Sequence, residues 1–248
     1  MNLDILPFRT GGAAENMACD FLLLQRYPRT DVPRFRHYSW HRPAFTFGYS
    51  QKVAFVRATL PADGPIDLCR RPTGGGLVDH RDDWTYALVI PRGHPLEELR
   101  ATQSYSEVHS CLAEALRLQG VPAVTKPVDA PVELGASGLT AVPAEASTKE
   151  GICFERAEFH DVIHKASGKK IAGAAQKRNK HGLLFQGSIW RPAAGPGVNW
   201  DRFHEDFTHQ LAAALGTQAE PVPWPDFNED EVIGLVEHYS SSEWTDHR

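Results

Sequence analysis

Three stretches of this sequence carry residues whose types and spacing could do chemistry. The first is Arg70-Arg71-Pro72-Thr73-Gly74-Gly75-Gly76-Leu77-Val78-Asp79-His80. Consecutive glycines lack Cβ atoms, so the backbone can take positive φ and a ligand can lie directly on its amides. Two arginines add fixed charge and forked donors for a carboxylate, phosphate or carbonyl. The competing reading is a flexible turn with solvated arginines, but glycine between strand patterns usually marks close backbone approach. The loop is neither a Walker A motif nor a dinucleotide fingerprint, because no Gly-Lys-Ser/Thr follows and no helix opens from it. The second stretch is Lys170-Ile171-Ala172-Gly173-Ala174-Ala175-Gln176. Its lysine precedes small side chains that would let a chain-like ligand approach closely. The third is Cys153, within Gly151-Ile152-Cys153-Phe154. A thiolate is a nucleophile, and a nearby ammonium lowers a thiol's pKa by stabilising it. A buried structural cysteine and a solvated lysine are the alternatives.

The elements that must position these residues follow from periodicity. Met17, Phe21, Leu22 and Leu24 predict an amphipathic helix over Ala14 to Tyr27, ended by Pro28. Arg34 to Trp40 and Ala44 to Tyr49 predict a hairpin turning at His41-Arg42-Pro43. A short helix is expected over Gln51 to Leu60. The glycine loop sits between strands Ile66 to Cys69 and Trp84 to Pro91, the latter alternating like a half-buried strand. Tyr105, Val108, Leu112 and Leu116 predict a helix from Ser104 to Leu118, stopped by Gly120. Residues Pro127 to Glu150 are rich in proline and small side chains, and are expected to form a long mobile surface loop of functional interest. Strands are expected at Phe159 to His164, Lys170 to Ala174 and His181 to Trp190. A helical tail over 198 to 248 follows, with helices at Trp200 to Leu215 and Asn228 to Tyr239. Strands and helices interleave without strict alternation, which predicts one α/β domain of the α+β type over residues 1 to 248, a mixed sheet flanked by helices.

The chain has 248 residues, 42% hydrophobic and 23% charged, enough for a substantial core. A net charge of −5 argues against a general nucleic-acid binder. No apolar run reaches membrane-spanning length and no signal peptide is visible, so no membrane association and a cytoplasmic location are expected. Cys19, Cys69, Cys111 and Cys153 form no Cys-x-x-Cys pair, so no metal site is expected.

Arg70-Arg71-x-Thr73-Gly74-Gly75-Gly76-x-Val78-x-His80, followed by Thr85-Tyr86, resembles the signature of the lipoate-protein ligase and octanoyltransferase family, part of the biotin/lipoyl ligase superfamily. Glu15 to Asp20, Phe35 to Gln51 and Lys170 to Gln176 resemble further family segments in the same order. The resemblance implies the biotin/lipoyl ligase catalytic fold. In octanoyltransferases of the LipM and LipL type, the nucleophilic cysteine falls where Cys153 stands. It would exchange thioesters without ATP, while Lys170 would hydrogen-bond the acyl carbonyl and poise the thiol. Arg70, Arg71, Thr73, Gly74, Gly75, Gly76, His80, Gly173, Ala174, Ala175 and Gln176 are the implied substrate-binding residues. His80 is open between base and structural hydrogen-bonder, and Asp82 and Asp83 would help the loop turn. Two positions depart from the family pattern: Arg81, where an acidic residue is common, and His160, where a tyrosine is common.

The implied reaction moves octanoyl or lipoyl from an acyl carrier protein or a lipoylated carrier to a lysine of a lipoyl domain. Acceptors would be the glycine cleavage H protein or the E2 subunits of 2-oxoacid dehydrogenases, and other lysines and arginines of the chain could steer such acidic domains. No cofactor is needed for transfer. The alternative is an ATP- and Mg-dependent lipoate-protein ligase, and a third reading is a non-catalytic lipoyl- or biotinyl-binding homologue. The short stretch after Trp190 leaves little room for the ligases' accessory domain, which favours transfer.

Overall fold

The computed structural model describes residues 2–62, 64–127 and 157–247. Chain order runs β1 (Asn2–Gly11), α1 (Ala13–Gln25), β2 (Arg34–Trp40), β3 (Ala44–Phe47), α2 (Val53–Thr59), β4 (Asp67–Arg70), β5 (Leu77–Asp79) and β6 (Asp83–Pro91). It continues with α3 (Pro95–Glu98), α4 (Ala101–Leu118), β7 (Ala123–Thr125), β8 (Val162–His164), β9 (Lys170–Asn179) and β10 (Gly182–Trp190). The last elements are α5 (Arg191–Ala194), α6 (Trp200–Ala214), β11 (Gln218–Pro221), α7 (Glu229–Ser240) and α8 (Ser242–Thr245). Eight strands form one mixed sheet in the order β11-β1-β2-β6-β10-β9-β8-β7, and β4-β3-β5 form a second, smaller one. The fold is therefore a mixed α/β architecture with helices flanking the sheet.

Strand β6 is central and buried along its whole length, not half-buried as its alternation suggested. Trp84, Tyr86, Leu88 and Ile90 do share one face, packed under α4 and α6 against Leu112, Phe203 and Phe207. The other face, Ala87 and Val89, is covered by Leu23 and Leu24 of α1. Helices on both faces of a sheet give strands that are apolar throughout. Fully burying side chains of this size is worth roughly 1.5–3 kcal/mol each.

The hairpin expected from Arg34 to Tyr49 does not form. Strand β2 has both edges taken, by β1 in parallel and β6 antiparallel. Past the Pro43 turn the chain enters the small sheet, where β3 pairs with β4 in parallel and β5 antiparallel. Strand β1 breaks register between Leu6 and Arg9, around Pro7, which has no N–H for the ladder. The expected helical tail also contains a strand, β11, paired in parallel with β1. Most of the loop expected at Pro127 to Glu150, and Cys153, lie outside the described residues.

Candidate active site

The glycine loop is stitched to the end of β3. Arg71 N–H donates to Phe47 O at 2.8 Å and Tyr49 N–H to Thr73 O at 2.8 Å. This brings Gly48 against the loop so closely that a Cβ there would lie 2.0 Å from Gly75 O. Gly75 itself has φ of 91°, a conformation that suits glycine alone among common residues. Arg71 braces the loop from inside, donating to Gly74 O at 3.0 Å, Gly76 O at 2.9 Å and Thr46 Oγ1 at 2.7 Å. Thr73 donates to Gln186 Oε1 at 2.7 Å, and Gln186 Nε2 donates to Asp20 Oδ2 at 2.6 Å. Burial pushes the Asp20 carboxyl up, opposed by Arg36, which meets it at 2.6 Å. The loop is thus tied through β10 to helix α1 by a buried polar chain, every link hydrogen-bonded as burial demands.

Between this loop and strands β9 and β10 runs a narrow slot with a mostly apolar wall, leaving about 40 Å3 open to the centre of a water molecule. Arg71, Gly75 and His80 line one side, and Gly173, Ala174 and Ala175 line the other. His80 has both ring nitrogens engaged, with Thr46 Oγ1 and Asp83 Oδ2 each at 2.7 Å. Thr85 and Ser188 hydroxyls donate to the same Asp83 oxygen. Asp83 is a buried acceptor for three donors, more than the turn-former the sequence suggested.

Lys170 lies behind Gly173. Its ammonium pairs with Asp161 Oδ2 at 2.8 Å, and both side chains are buried, 4% and 8% exposed. A Cβ on Gly173 would fall 2.8 Å from Lys170 Nζ, so the bare glycine is what lets the ammonium reach the slot wall. On the far side Lys170 lines a wider cleft of about 620 Å3 together with Trp190 and Pro192. The lysine therefore sits where a thread-like apolar slot meets an open cleft.

Two of the expected substrate-binding residues are placed elsewhere. Arg70 is fully buried among carbonyls, donating to Tyr49 O, Gln51 O, Trp244 O and Thr245 O at 2.6–3.2 Å. It locks the C-terminal α8 onto β4 and does not line the slot. Gln176 turns outward to α4, where Nε2 donates to Ala101 O at 3.0 Å and Oε1 accepts from Ser104. Thr73, Gly74 and Gly76 support the slot from behind. Sequence reasoning missed Thr46, Gln186, Ser188 and Asp161. Gln186 carried a signal, a lone amide in the apolar strand Leu183-Leu184-Phe185-Gln186-Gly187, whereas Asp161 had none beyond its charge.

The three described cysteines are poor nucleophiles. Burial pushes the Cys69 and Cys111 thiols up to about 12 and raises Cys19 as well. Among the described residues there is no group of three or more His, Cys, Asp or Glu placed to hold a metal, and no helix long and apolar enough to cross a membrane.

Comparison with known proteins fits this geometry. The chain is 34% identical over 188 residues to octanoyltransferase LipM of Oceanobacillus iheyensis, covering 71% of this chain and 59% of the relative. It is 28% identical over 271 residues to octanoyltransferase LipM of Kyrpidia tusciae, covering 94% of each. Against several of the curated relatives it matches, the chain spans about 59–64% of their length. Its backbone superposes on a putative lipoate protein ligase from T. acidophilum with a TM-score of 0.69 at 18% identity, covering 100% of both chains. A lipoate-protein ligase A bound with ATP gives 0.71 at 17% identity, covering 98% of both. The family model for the lipoyl protein ligase A/B catalytic domain matches residues 12–191, and the chain belongs to that family.

Proposed function

We propose that this protein is an octanoyltransferase that moves an acyl group from a carrier-protein thioester, through a thioester on Cys153, to a lysine of a lipoyl domain. The observation that carries this reading is the Lys170 ammonium, buried and held against bare Gly173 at the wall of the apolar slot. The slot suits an unbranched acyl chain. An ammonium at its wall can hydrogen-bond a carbonyl oxygen as negative charge develops there. The Cys153 thiolate attacks the donor's carbonyl carbon, the C–S bond to the carrier breaks, and the carrier thiolate leaves. The acceptor lysine's neutral amine then attacks the new thioester, a C–N bond forms, and Cys153 departs as thiolate while the nitrogen gives up its proton.

Three further observations support the reading. Burial raises the thiols of all three described cysteines, which supports Cys153 as the nucleophile. Curated relatives at 28–34% identity are named octanoyltransferase LipM. An archaeal lipoylation system of similar fold pairs a bipartite lipoate protein ligase with its E2 lipoyl domain, which supports a lipoyl domain as the acceptor proposed here. The carrier arm would enter by the wider cleft beside Lys170.

The test is transfer from octanoyl-acyl carrier protein to an apo lipoyl domain, with and without ATP. Octanoylation independent of ATP and abolished by Cys153→Ala supports transfer. Modification of the domain by free lipoate that requires ATP and survives Cys153→Ala overturns it in favour of ligation.

A further inference from the structure

One face of α4 grips two places on the lysine side of the slot. Tyr105 Oη donates to Ala174 O of β9, four residues beyond Lys170. One turn later His109 meets the chain just ahead of β8, its Nδ1 lying 2.7 Å from His160 O. A backbone carbonyl only accepts, so His109 Nδ1 carries the proton and donates it. Residues four apart share one helix face, which places both grips on the same stretch of α4. His109 is fully buried, and its Nε2 has no hydrogen-bond partner among the described residues. Burial pushes its imidazole down, so the ring stays neutral and directs its one N–H to that carbonyl. The carbonyl belongs to the single non-glycine residue with positive φ among the described residues, His160 at 67°. A residue with a Cβ keeps this conformation only where its surroundings fix it. The turn presents a carboxylate. His160 N–H donates to Lys126 O at 3.0 Å, and Lys126 N–H donates to Asp161 O at 2.8 Å. Glu158 N–H donates to Asp161 Oδ2 at 2.7 Å, and the same oxygen meets Lys170 Nζ at 2.8 Å.

We propose that His109 is a positioning residue: by holding His160 O it keeps the left-handed turn that sets Asp161, and through it the Lys170 ammonium, at the slot wall. This rests on the proposed role of Lys170 at an acyl carbonyl, and holds whether the acyl group arrives as a thioester or as an adenylate. The plain alternative is a histidine that only fills space under α4, and Tyr105 does meet its ring edge-on at 5.3 Å. The two readings rank substitutions in opposite order. Asn keeps an amide N–H close to where Nδ1 stands, whereas Leu keeps the bulk and removes the donor. If His109 only fills space, Leu suits the apolar site better than Asn, which buries an amide there. If it positions the turn, Asn is the better replacement. His160 offers a second lever, because glycine takes positive φ without a Cβ clash. A His160→Gly turn needs less holding, so losing His109 should matter less in that background.

The experiment compares wild type, His109→Asn, His109→Leu, His160→Gly and the His109→Leu/His160→Gly double variant, each confirmed folded by its melting transition. Octanoyl transfer to an apo lipoyl domain and ATP-dependent lipoylation of the same domain are measured in parallel. In whichever activity the enzyme shows, His109→Leu should lose about tenfold or more in kcat, since misplacing a reacting group by about 1 Å costs up to 10²-fold. KM for the acyl substrate should hardly move, because the slot wall keeps its small residues. His109→Asn should recover most of the loss, and the double variant should lose less than His109→Leu does alone. His109→Gln, polar like Asn but carrying its N–H out where Nε2 stands, takes the place of Leu if Leu does not fold, and should lose kcat likewise. A readout without turnover is the long-range 1H–15N spectrum of the His109 ring at neutral pH, expected to show a protonated Nδ1 and a bare Nε2. If lipoylation proves to need ATP, the transfer reading fails while the His109 ranking is still read, so the two failures are separable. A folded His109→Leu or His109→Gln with wild-type kcat, a Leu variant as fast as the Asn one, or a His109 ring protonated on Nε2 alone overturns the proposal.

Discussion

The two walls of the slot are built on opposite principles. The glycine-loop wall, residues 70 to 80, is held by a dense mesh of hydrogen bonds from arginines to backbone carbonyls and hydroxyls, with the His80 ring held between Thr46 and Asp83. Arg71 alone ties down two loop carbonyls and Thr46. The lysine wall, residues 161 to 176, carries an ion pair, Lys170 with Asp161, buried on small residues. The first wall sets shape and the second sets reactivity. Substitutions in the first should therefore act through stability and substrate binding, and substitutions in the second through rate and pH.

The largest effect should come from the lysine wall. Lys170→Ala removes the donor to the developing oxyanion and should lower the transfer rate by about 10²–10³-fold. Its neighbour Gly173→Ala should approach the same loss, because the new methyl displaces the Lys170–Asp161 pair. Steady-state transfer kinetics on the folded variants check both, and a Gly173→Ala enzyme of normal rate would break the claim that the glycine seats the ammonium.

The adjacent arginines sharpen the comparison. Arg70→Ala strips buried carbonyls of Tyr49, Gln51, Trp244 and Thr245 of a charged donor and should cost about 3 kcal/mol or more of stability. Activity per folded molecule should hardly change. Arg71→Ala should loosen the slot and raise KM for the acyl donor. Chemical denaturation and kinetics on both variants separate the roles. Thr73→Val leaves the buried Gln186 oxygen without its hydroxyl donor and should cost about 1–3 kcal/mol by the same measurement. Smallest of all, Cys69→Ala and Cys111→Ala should leave transfer unchanged. In the wild type their thiols, pushed up to about 12, should resist iodoacetamide at neutral pH.

How much of this was legible in the sequence depends on how local its cause is. Helices α1, α4 and α6 followed from apolar spacing, because one face of each meets the sheet. The glycine loop and the lysine strand were visible from composition alone. Pairing was less so: Arg34 to Trp40 and Ala44 to Phe47 look like a hairpin until the partners of β2, one of them the irregular β1 with Pro7 at its bulge, are known. Arg70 and Arg71 are chemically identical neighbours in sequence. Their fates diverge because adjacent residues in an extended segment face opposite sides, and only the fold reveals that α8 waits on one of them. Asp161 was unreadable because its partner lies across a braced turn, and nothing in its immediate neighbourhood marks it.

The account's central claim is a covalent acyl-enzyme on Cys153. Its most direct test is intact-mass analysis after incubation with octanoyl-acyl carrier protein alone, in the absence of ATP. The account predicts a gain of one octanoyl group, removed by neutral hydroxylamine and discharged onto an apo lipoyl domain when one is added. The same thioester should be missing from Cys153→Ser. No adduct on the wild-type enzyme, in a preparation that modifies the lipoyl domain with free lipoate only when ATP is present, would contradict it.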